Sequence, residues 1–536
     1  MTRQRSASVN RRPNVLFIIA DQLRADHLGF GGNVIVKTPH LDALAAKSVV
    51  FENATVANPT CMPNRASLMT GRWPSAHGTR CNGITLDPLT QTVPGSLGAG
   101  GYRTVGVGKL HHQNMGWEFE PHQADEIQAA DPLLLERGVS DARRQAFSPG
   151  WDQWENREAH DDRFIGLPSD YYGYQHVDLV IGHGDRPGGH YVHWARERGV
   201  DPETLGGPGN SSSTYGGWDQ VYQTAIPAEV HPTSYVSEKA IEHLKDAAGQ
   251  DQPFFMFVSF PDPHHPFSPP AGYSDLYDPA QLPLPLGFEQ DHSASPAHVR
   301  DMMEHRGEPN ADPTMTWAAT EEQYRFAAAA QYGLITMMDE HIGRILDELD
   351  RQGLAEDTIV VFTSDHGDLF GDHGLMLKHF VHYRAVTNVP LLVHVPGSLP
   401  RRTEALVSSA DLAPTLLELT GSAPYRGIQG RSLVPLLEGK TEQHRKALLV
   451  EEEQPFGLEG LPGPVSMRTV ITLEGRLTRY FGTDITELYD HHDDPGELLN
   501  RAGHPASAGL EDRLMRTMLD EMAALADRGT APTAAA

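Results

Sequence analysis

Four short apolar runs, each ending in polar residues, constrain this chain more than any other feature. Asn14-Val-Leu-Phe-Ile-Ile-Ala20 runs straight into Asp21-Gln22, and residues 358–363 (Thr-Ile-Val-Val-Phe-Thr) run into Ser364-Asp365-His366-Gly367. Residues 253–259 (Pro-Phe-Phe-Met-Phe-Val-Ser) lead to Pro263-His264-His265-Pro266, and residues 104–108 (Thr-Val-Gly-Val-Gly) lead to Lys109 and His111. Unbroken apolar runs of this length mark strands buried on both faces, as in a parallel sheet covered by helices. Open α/β sheets bind ligands at the carboxyl ends of their strands. Four strands that each bring an acid, a histidine or a lysine to that edge predict an α/β fold with its chemistry there. Helical periodicity at 39–47, 320–352 and 412–419 supplies the covering layers.

The rest of the chain divides around this core. Residues 121–230 are rich in Gly, Pro, His and aromatics and read as a long insertion over the site. After residue 437 the pattern turns to short strands at 447–450, 466–473 and 476–481. A catalytic portion over 1–437 and a C-terminal subdomain with its tail over 438–536 are therefore expected, with 509–525 helical and 530–536 disordered. A length of 536 residues suits one large core and one smaller one.

Charge and cysteine usage narrow the function. With 71 acidic and 43 basic residues the formal charge is −28, and no basic stripe interrupts it. Such a surface repels nucleic-acid phosphates and anionic membranes, so neither is an expected partner. An anionic substrate would have to be drawn in by a local cluster of Lys, Arg, His and metal. Two cysteines, Cys61 and Cys81, are too few for a disulfide framework. No stretch is long enough to span a bilayer, and the first apolar run is shorter than a signal peptide's, so a cytoplasmic protein is expected.

The residue types at the strand ends point to a metal. Asp21 and Asp365 offer hard oxygen ligands, and two carboxylates sharing a site repel unless a cation lies between them. A single Asp there is more often a turn former or helix cap; the pairing carries the inference. Gln22 and His366 would complete the ligand set, and imidazole suits manganese better than calcium.

The segment Asn58-Pro-Thr-Cys61-Met62-Pro63-Asn64-Arg65-Ala-Ser-Leu-Met-Thr-Gly71-Arg72 resembles the sulfatase signature, Cys-x-Pro-x-Arg followed by a small residue, Ser, Leu and Thr-Gly. A lone cysteine is more often a small buried hydrophobe, but here further motifs follow in the family's order. They are Asn14 to Asp21, Gly101-Tyr102 through Lys109 and His111, Pro263-His264-x-Pro266, Thr363-Ser-Asp365-His366-Gly367-Asp368, Lys378, Asp411 to Leu417, and Glu487-Leu-Tyr-Asp490 with Asp494-Pro495. The resemblance covers nearly the whole chain. It implies an alkaline-phosphatase-like sandwich, a mostly parallel central sheet flanked by helices, with a small C-terminal antiparallel sheet. It implies hydrolysis of a sulfate monoester to an alcohol and inorganic sulfate. It also implies that a maturation enzyme oxidises Cys61 to Cα-formylglycine (3-oxoalanine).

In that scheme a divalent metal, Mn2+ or Ca2+, binds Asp21, Gln22, Cys61, Asp365 and His366. One hydroxyl of the formylglycine hydrate attacks sulfur in line. His264 and Lys378 protonate the leaving oxygen, and His111 takes the proton of the second hydroxyl. Arg65 and Lys109 stabilise the oxyanions of the diol and of the transferred group. Asn82, in the turn-like Arg80-Cys81-Asn82-Gly83, is either a turn former or a contact to the transferred group. Cys81 reads as structural and His491-His492 as outside the chemistry; His183, His190 and His193 either line the pocket or sit on a solvated loop, and the solvated loop is the preferred reading.

Gln22 and His366 depart from many sulfatases, which carry a second Asp and an Asn there. The Gln/His pairing is associated with the phosphonate monoester hydrolase branch, so a phosphonate monoester or phosphodiester hydrolase is the alternative. The Lys109/His111 pair favours the sulfatase. A catalytically dead binding protein is argued against by the intact set of site residues. The expected partners are a small anionic ester and the maturation enzyme, and a homo-oligomer is compatible with the sequence.

Overall fold

All four apolar runs become strands of one central sheet in the computed structural model, which describes residues 12–136, 150–309, 312 and 314–529. The strands are β1 (Asn14–Ala20), β2 (Val49–Thr55), β3 (Arg103–Gly108), β4 (His176–Ile181), β5 (Gly188–Gly189), β6 (Phe254–Ser259), β7 (Thr358–Ser364), β8 (Leu391–His394) and β9 (Arg401–Ser408). Their order is β9-β2-β8-β7-β1-β6-β3-β4-β5. Only β8 and β5 run antiparallel to their neighbours. β1 lies at the centre, with Val15 in register with Ile359 on one side and Phe255 on the other. β1, β6 and β7 are buried at every residue, which is why they read as unbroken apolar runs.

The pleat divides β1 between two cores. Leu16, Ile18 and Ala20 pack with the helices Pro232–Ala247 and Glu321–Arg351 on one face. Val15, Phe17 and Ile19 pack with Cys61–Thr70 (α1) and Leu412–Leu419 on the other. Burying each of these large side chains contributes about 1.5–3 kcal/mol. The 31-residue helix Glu321–Arg351 starts on a capping box, in which Thr320 and Gln323 exchange side-chain and backbone bonds.

The expected small sheet is also present. Leu448–Gln454 (β10), Val465–Ile471 (β11), Gly475–Phe481 (β12) and Thr486–Asp490 (β13) form an antiparallel meander. The helix Ala508–Ala524 lays Leu510, Leu514 and Met518 against its Leu449, Val470 and Leu477. The tail 530–536 lies outside the described residues. Among those described, no helix is long and apolar enough to cross a membrane.

The reading of 121–230 as an insertion needs correction. Its strand β4 pairs in parallel with β3, and the helix His190–Glu197 puts Tyr191, Val192 and Trp194 into the main core. Polar residues at His176 and Asp178 break the apolar run that would have marked the strand.

Candidate functional site

The carboxyl ends of β1, β3, β4, β6 and β7 converge with the start of α1 on one buried cluster. Asp21 and Gln22 follow β1. Gln22 has a φ of 60°, and its N–H donates to Asp365 Oδ1 at 3.1 Å. Cys61 is the first residue of α1 and only 2% exposed. Its sulfur lies 3.1 Å from His366 Nε2, 3.5 Å from Lys378 Nζ and 3.8 Å from Asp21 Oδ1.

Asp21, Cys61, Asp365 and His366 bring ligand atoms within 4.8 Å of one another, all buried. His366 bonds the Gly367 carbonyl through Nδ1 at 2.8 Å, so the proton sits on Nδ1 and the Nε2 lone pair faces the cluster. That is the tautomer a metal ligand needs, fixed from outside in the usual way. Two fully buried carboxylates and an aimed imidazole suit a divalent cation. Burial alone would raise the Asp21 carboxyl, but the cations Lys109, Arg65 and Lys378 outweigh it and hold it down at about 2. Burial likewise opposes the ionisation of Asp365, and the cations Arg65 and Lys109 keep it low.

Lys378 occupies the middle of the cluster. Its Nζ is 2.8 Å from Gln22 Oε1, 2.9 Å from His264 Nε2 and 3.0 Å from His366 Nε2. His264 bonds the His265 carbonyl through Nδ1 at 2.5 Å, so its Nε2 accepts from the lysine. Burial, with His183 and Lys378 nearby, pushes the His264 pKa far down and keeps the ring neutral. Gln22 Nε2 reaches His265 Nδ1 at 3.1 Å and also bonds Asp368.

Arg65 lies one turn after Cys61 and is fully buried. Nε donates to Asp365 at 2.8 Å, Nη2 to Asp21 at 3.4 Å, and Nη1 to the Lys109 carbonyl and Ser259 Oγ at 2.7 and 2.8 Å. Four of its five N–H groups are engaged by the two carboxylates, the Lys109 carbonyl and Ser259, so it joins Asp21 to Asp365. Lys109 Nζ bonds Asp21 and His183. The turn before it needs glycine: Gly108 has a φ of 93°, and a Cβ would stand 1.9 Å from the Ser259 carbonyl oxygen.

His111 follows with a φ of 55°. The buried Glu155 accepts its N–H at 2.6 Å, those of His112 and Gln113 at 2.8 and 3.2 Å, and the Tyr171 hydroxyl at 2.7 Å. His111 Nδ1 is buried with no hydrogen-bond partner among the described residues. Burial and the charges of Lys109 and Arg65 push its pKa well down and keep the ring neutral.

Asn82 Oδ1 accepts the Met62 N–H at 3.1 Å, beside Cys61 at the start of α1. His183 was misread as solvated. It follows β4, stacks on His264 at 3.6 Å with rings 9° apart, and belongs with Asp21, Cys61 and His264 to a second group of ligand atoms within 4.8 Å. His190 is buried too, accepting the Leu179 N–H at 3.2 Å, and His193 bonds the His160 carbonyl at 2.9 Å. A histidine two residues beyond a strand end was the available signal for His183, obscured by the broken start of β4. Cys81 is buried, consistent with a structural thiol.

Residues 13–165 and 170–422 match the family model described as Sulfatase, and 371–524 match the model described as N-sulphoglucosamine sulphohydrolase, C-terminal. An arylsulfatase of Clostridium perfringens is 27% identical over 526 residues, covering 95% of this chain and 94% of that protein. The multifunctional alkaline phosphatase superfamily protein PehA of Trinickia caryophylli is 28% identical, covering 93% of each. The phosphonate monoester hydrolase of Agrobacterium radiobacter superposes with a TM-score of 0.74 at 26% identity, covering 97% of each chain.

Proposed function

The chain belongs to the sulfatase family, hydrolases of sulfuric esters, and from that premise we propose that it cleaves a sulfate monoester to an alcohol and inorganic sulfate at the cluster around Cys61. The observation that carries this is the convergence of Cys61 with Asp21, Asp365 and His366 within 4.8 Å, with Lys378 Nζ 3.5 Å from the sulfur. Cys61 is the position converted to formylglycine, whose hydrate supplies one hydroxyl as nucleophile and a second that lets the aldehyde be restored. Asp21, Asp365 and His366, with Gln22 Oε1 adjacent, would hold a divalent metal, manganese or calcium, which supplies Lewis acidity toward ester oxygens.

The chain's own residues divide the remaining work. Arg65 and Lys109 keep Asp21 and Asp365 ionised and in place. Lys378 and His264, hydrogen-bonded to each other, hand a proton to the leaving oxygen. His111 and His183, both held neutral chiefly by burial, are the bases for the second proton. His183 is the one grouped with the Cys61 sulfur.

Peptide mass mapping tests the reading. Turnover of nitrophenyl sulfate should rise in proportion to the fraction of Cys61 found as aldehyde after co-expression with a maturation enzyme. Full activity from protein carrying only the thiol would overturn it. A second reading, hydrolysis of phosphonate monoesters or phosphodiesters, is favoured by Gln22 and His366 and by the likeness to the Agrobacterium radiobacter phosphonate monoester hydrolase.

A further inference from the structure

The segment that carries Lys378 has an unusual backbone. Leu377, His379 and Phe380 have φ of 69°, 89° and 63°, left-handed geometry that costs residues with side chains about 1 kcal/mol or more each. Such geometry persists only where the surroundings over-determine it. On the side of the central sheet, Leu377 N–H donates to Asp368 at 2.9 Å. The Thr316 hydroxyl lies 2.6 and 2.8 Å from the Lys378 and His379 carbonyl oxygens.

The other side of the segment is held by the small C-terminal sheet. Glu452 of β10 is fully buried, and among the described residues it forms no ion pair with Lys or Arg. Its Oε1 lies 3.3 Å from both His379 Nδ1 and the Phe380 N–H nitrogen, and Gln454 Nε2 donates to it at 3.0 Å. Its Oε2 lies 2.9 Å from His382 Nε2, and His382 Nδ1 is 2.7 Å from Thr469 Oγ1 of β11. Tyr480 of β12 donates its hydroxyl to the Phe380 carbonyl at 2.9 Å. Burying an isolated carboxylate is strongly unfavourable unless its hydrogen bonds are met, and most of those made by Glu452 go to residues 379–382.

We propose that Glu452 is a positioning residue. Through His379, His382 and the Phe380 N–H it sets the Lys378 ammonium against residue 61 and His264, which makes the C-terminal sheet part of the catalytic apparatus. This rests on the reading of Lys378 as a proton donor to the leaving oxygen.

The test is a leaving-group series. Glu452→Gln keeps the side-chain volume but removes the charge that holds two imidazoles. Rates are measured on sulfate esters of alcohols of increasing pKa, and in parallel on phosphonate monoesters of the same alcohols. On whichever class the wild type cleaves, kcat/KM should fall about 10- to 100-fold for alkyl esters and little for nitrophenyl esters. Glu452→Asp should fall in between, and it carries the comparison if Glu452→Gln does not fold. Adding Glu452→Gln to Lys378→Ala should bring no further loss, as for residues acting as one unit. An equal loss across the series, or multiplying losses in the double variant, would show a merely structural carboxylate and overturn the proposal. A wild type inactive on both ester classes would overturn the functional reading together with it.

Discussion

At the scale of single residues, the cluster is an ion-paired unit whose members cannot be removed independently. Arg65 is fully buried between Asp365 and Asp21, so deleting a carboxylate strands a buried cation, a change that typically costs 3–5 kcal/mol. Asp365→Asn and Asp365→Ala both remove that charge, but Asn keeps the side-chain volume and an oxygen that can still accept from Arg65 Nε, so Asp365→Asn is the cleaner probe. It should lose the bound divalent metal by elemental analysis and about 10^3-fold or more in turnover, with a smaller fall in melting temperature than the alanine variant. Metal retained at full stoichiometry would remove Asp365 from the ligand set. His183→Ala and His111→Ala separate the two candidate bases. The ring nitrogen grouped with the Cys61 sulfur belongs to His183, so kcat should fall further in the His183 variant, by about 10^2-fold. A larger loss in the His111 variant would reverse the assignment.

At the scale of elements, β1, β6 and β7 were legible in the sequence because burial on both faces leaves an unbroken apolar run; Asp21 and Asp365, directly after β1 and β7, land in the site, and His264 lands there five residues beyond the end of β6. β4 was not, because its outer end carries His176 and Asp178, and with it His183 was lost. Carboxylates that act through tertiary contact were invisible as well. Glu155 grips a loop 44 residues away at His111, and Glu452 sits 72 residues from the Phe380 N–H it accepts. No local pattern joins residues at that separation. The motif around Cys61 was legible as a string, but its burial in the first turn of α1 was not. That burial predicts when modification can occur. A maturation enzyme should convert an unfolded peptide spanning residues 58–72 and leave the folded thiol protein unchanged, as read by mass. Conversion of the folded protein at the peptide's rate would contradict this.

At the scale of the whole molecule, many imidazoles are buried neutral. Desolvation pushes His112, His231, His341 and His373 down to about 3, well below the unfolded value near 6.5. The unfolded chain therefore binds more protons than the native chain below pH 6.5, and stability falls as pH falls. Each such residue contributes up to about 1.4 kcal/mol per pH unit in that range. Thermal melts should show a steep drop in Tm between pH 6.5 and 5, and a flat profile would mean that these rings gain protons in the native state.

The choice of ester also belongs to the whole molecule, since one buried cluster must serve whichever substrate the surrounding chain admits. The most direct measurement is kcat/KM for nitrophenyl sulfate, a phenyl phosphonate monoester and bis(nitrophenyl) phosphate on a single preparation with known aldehyde content at residue 61. A sulfatase predicts the sulfate ester to be fastest, with the other two as slower side activities. A phosphonate monoester cleaved more than tenfold faster than the sulfate would contradict the sulfatase reading and assign the cluster to phosphoryl chemistry.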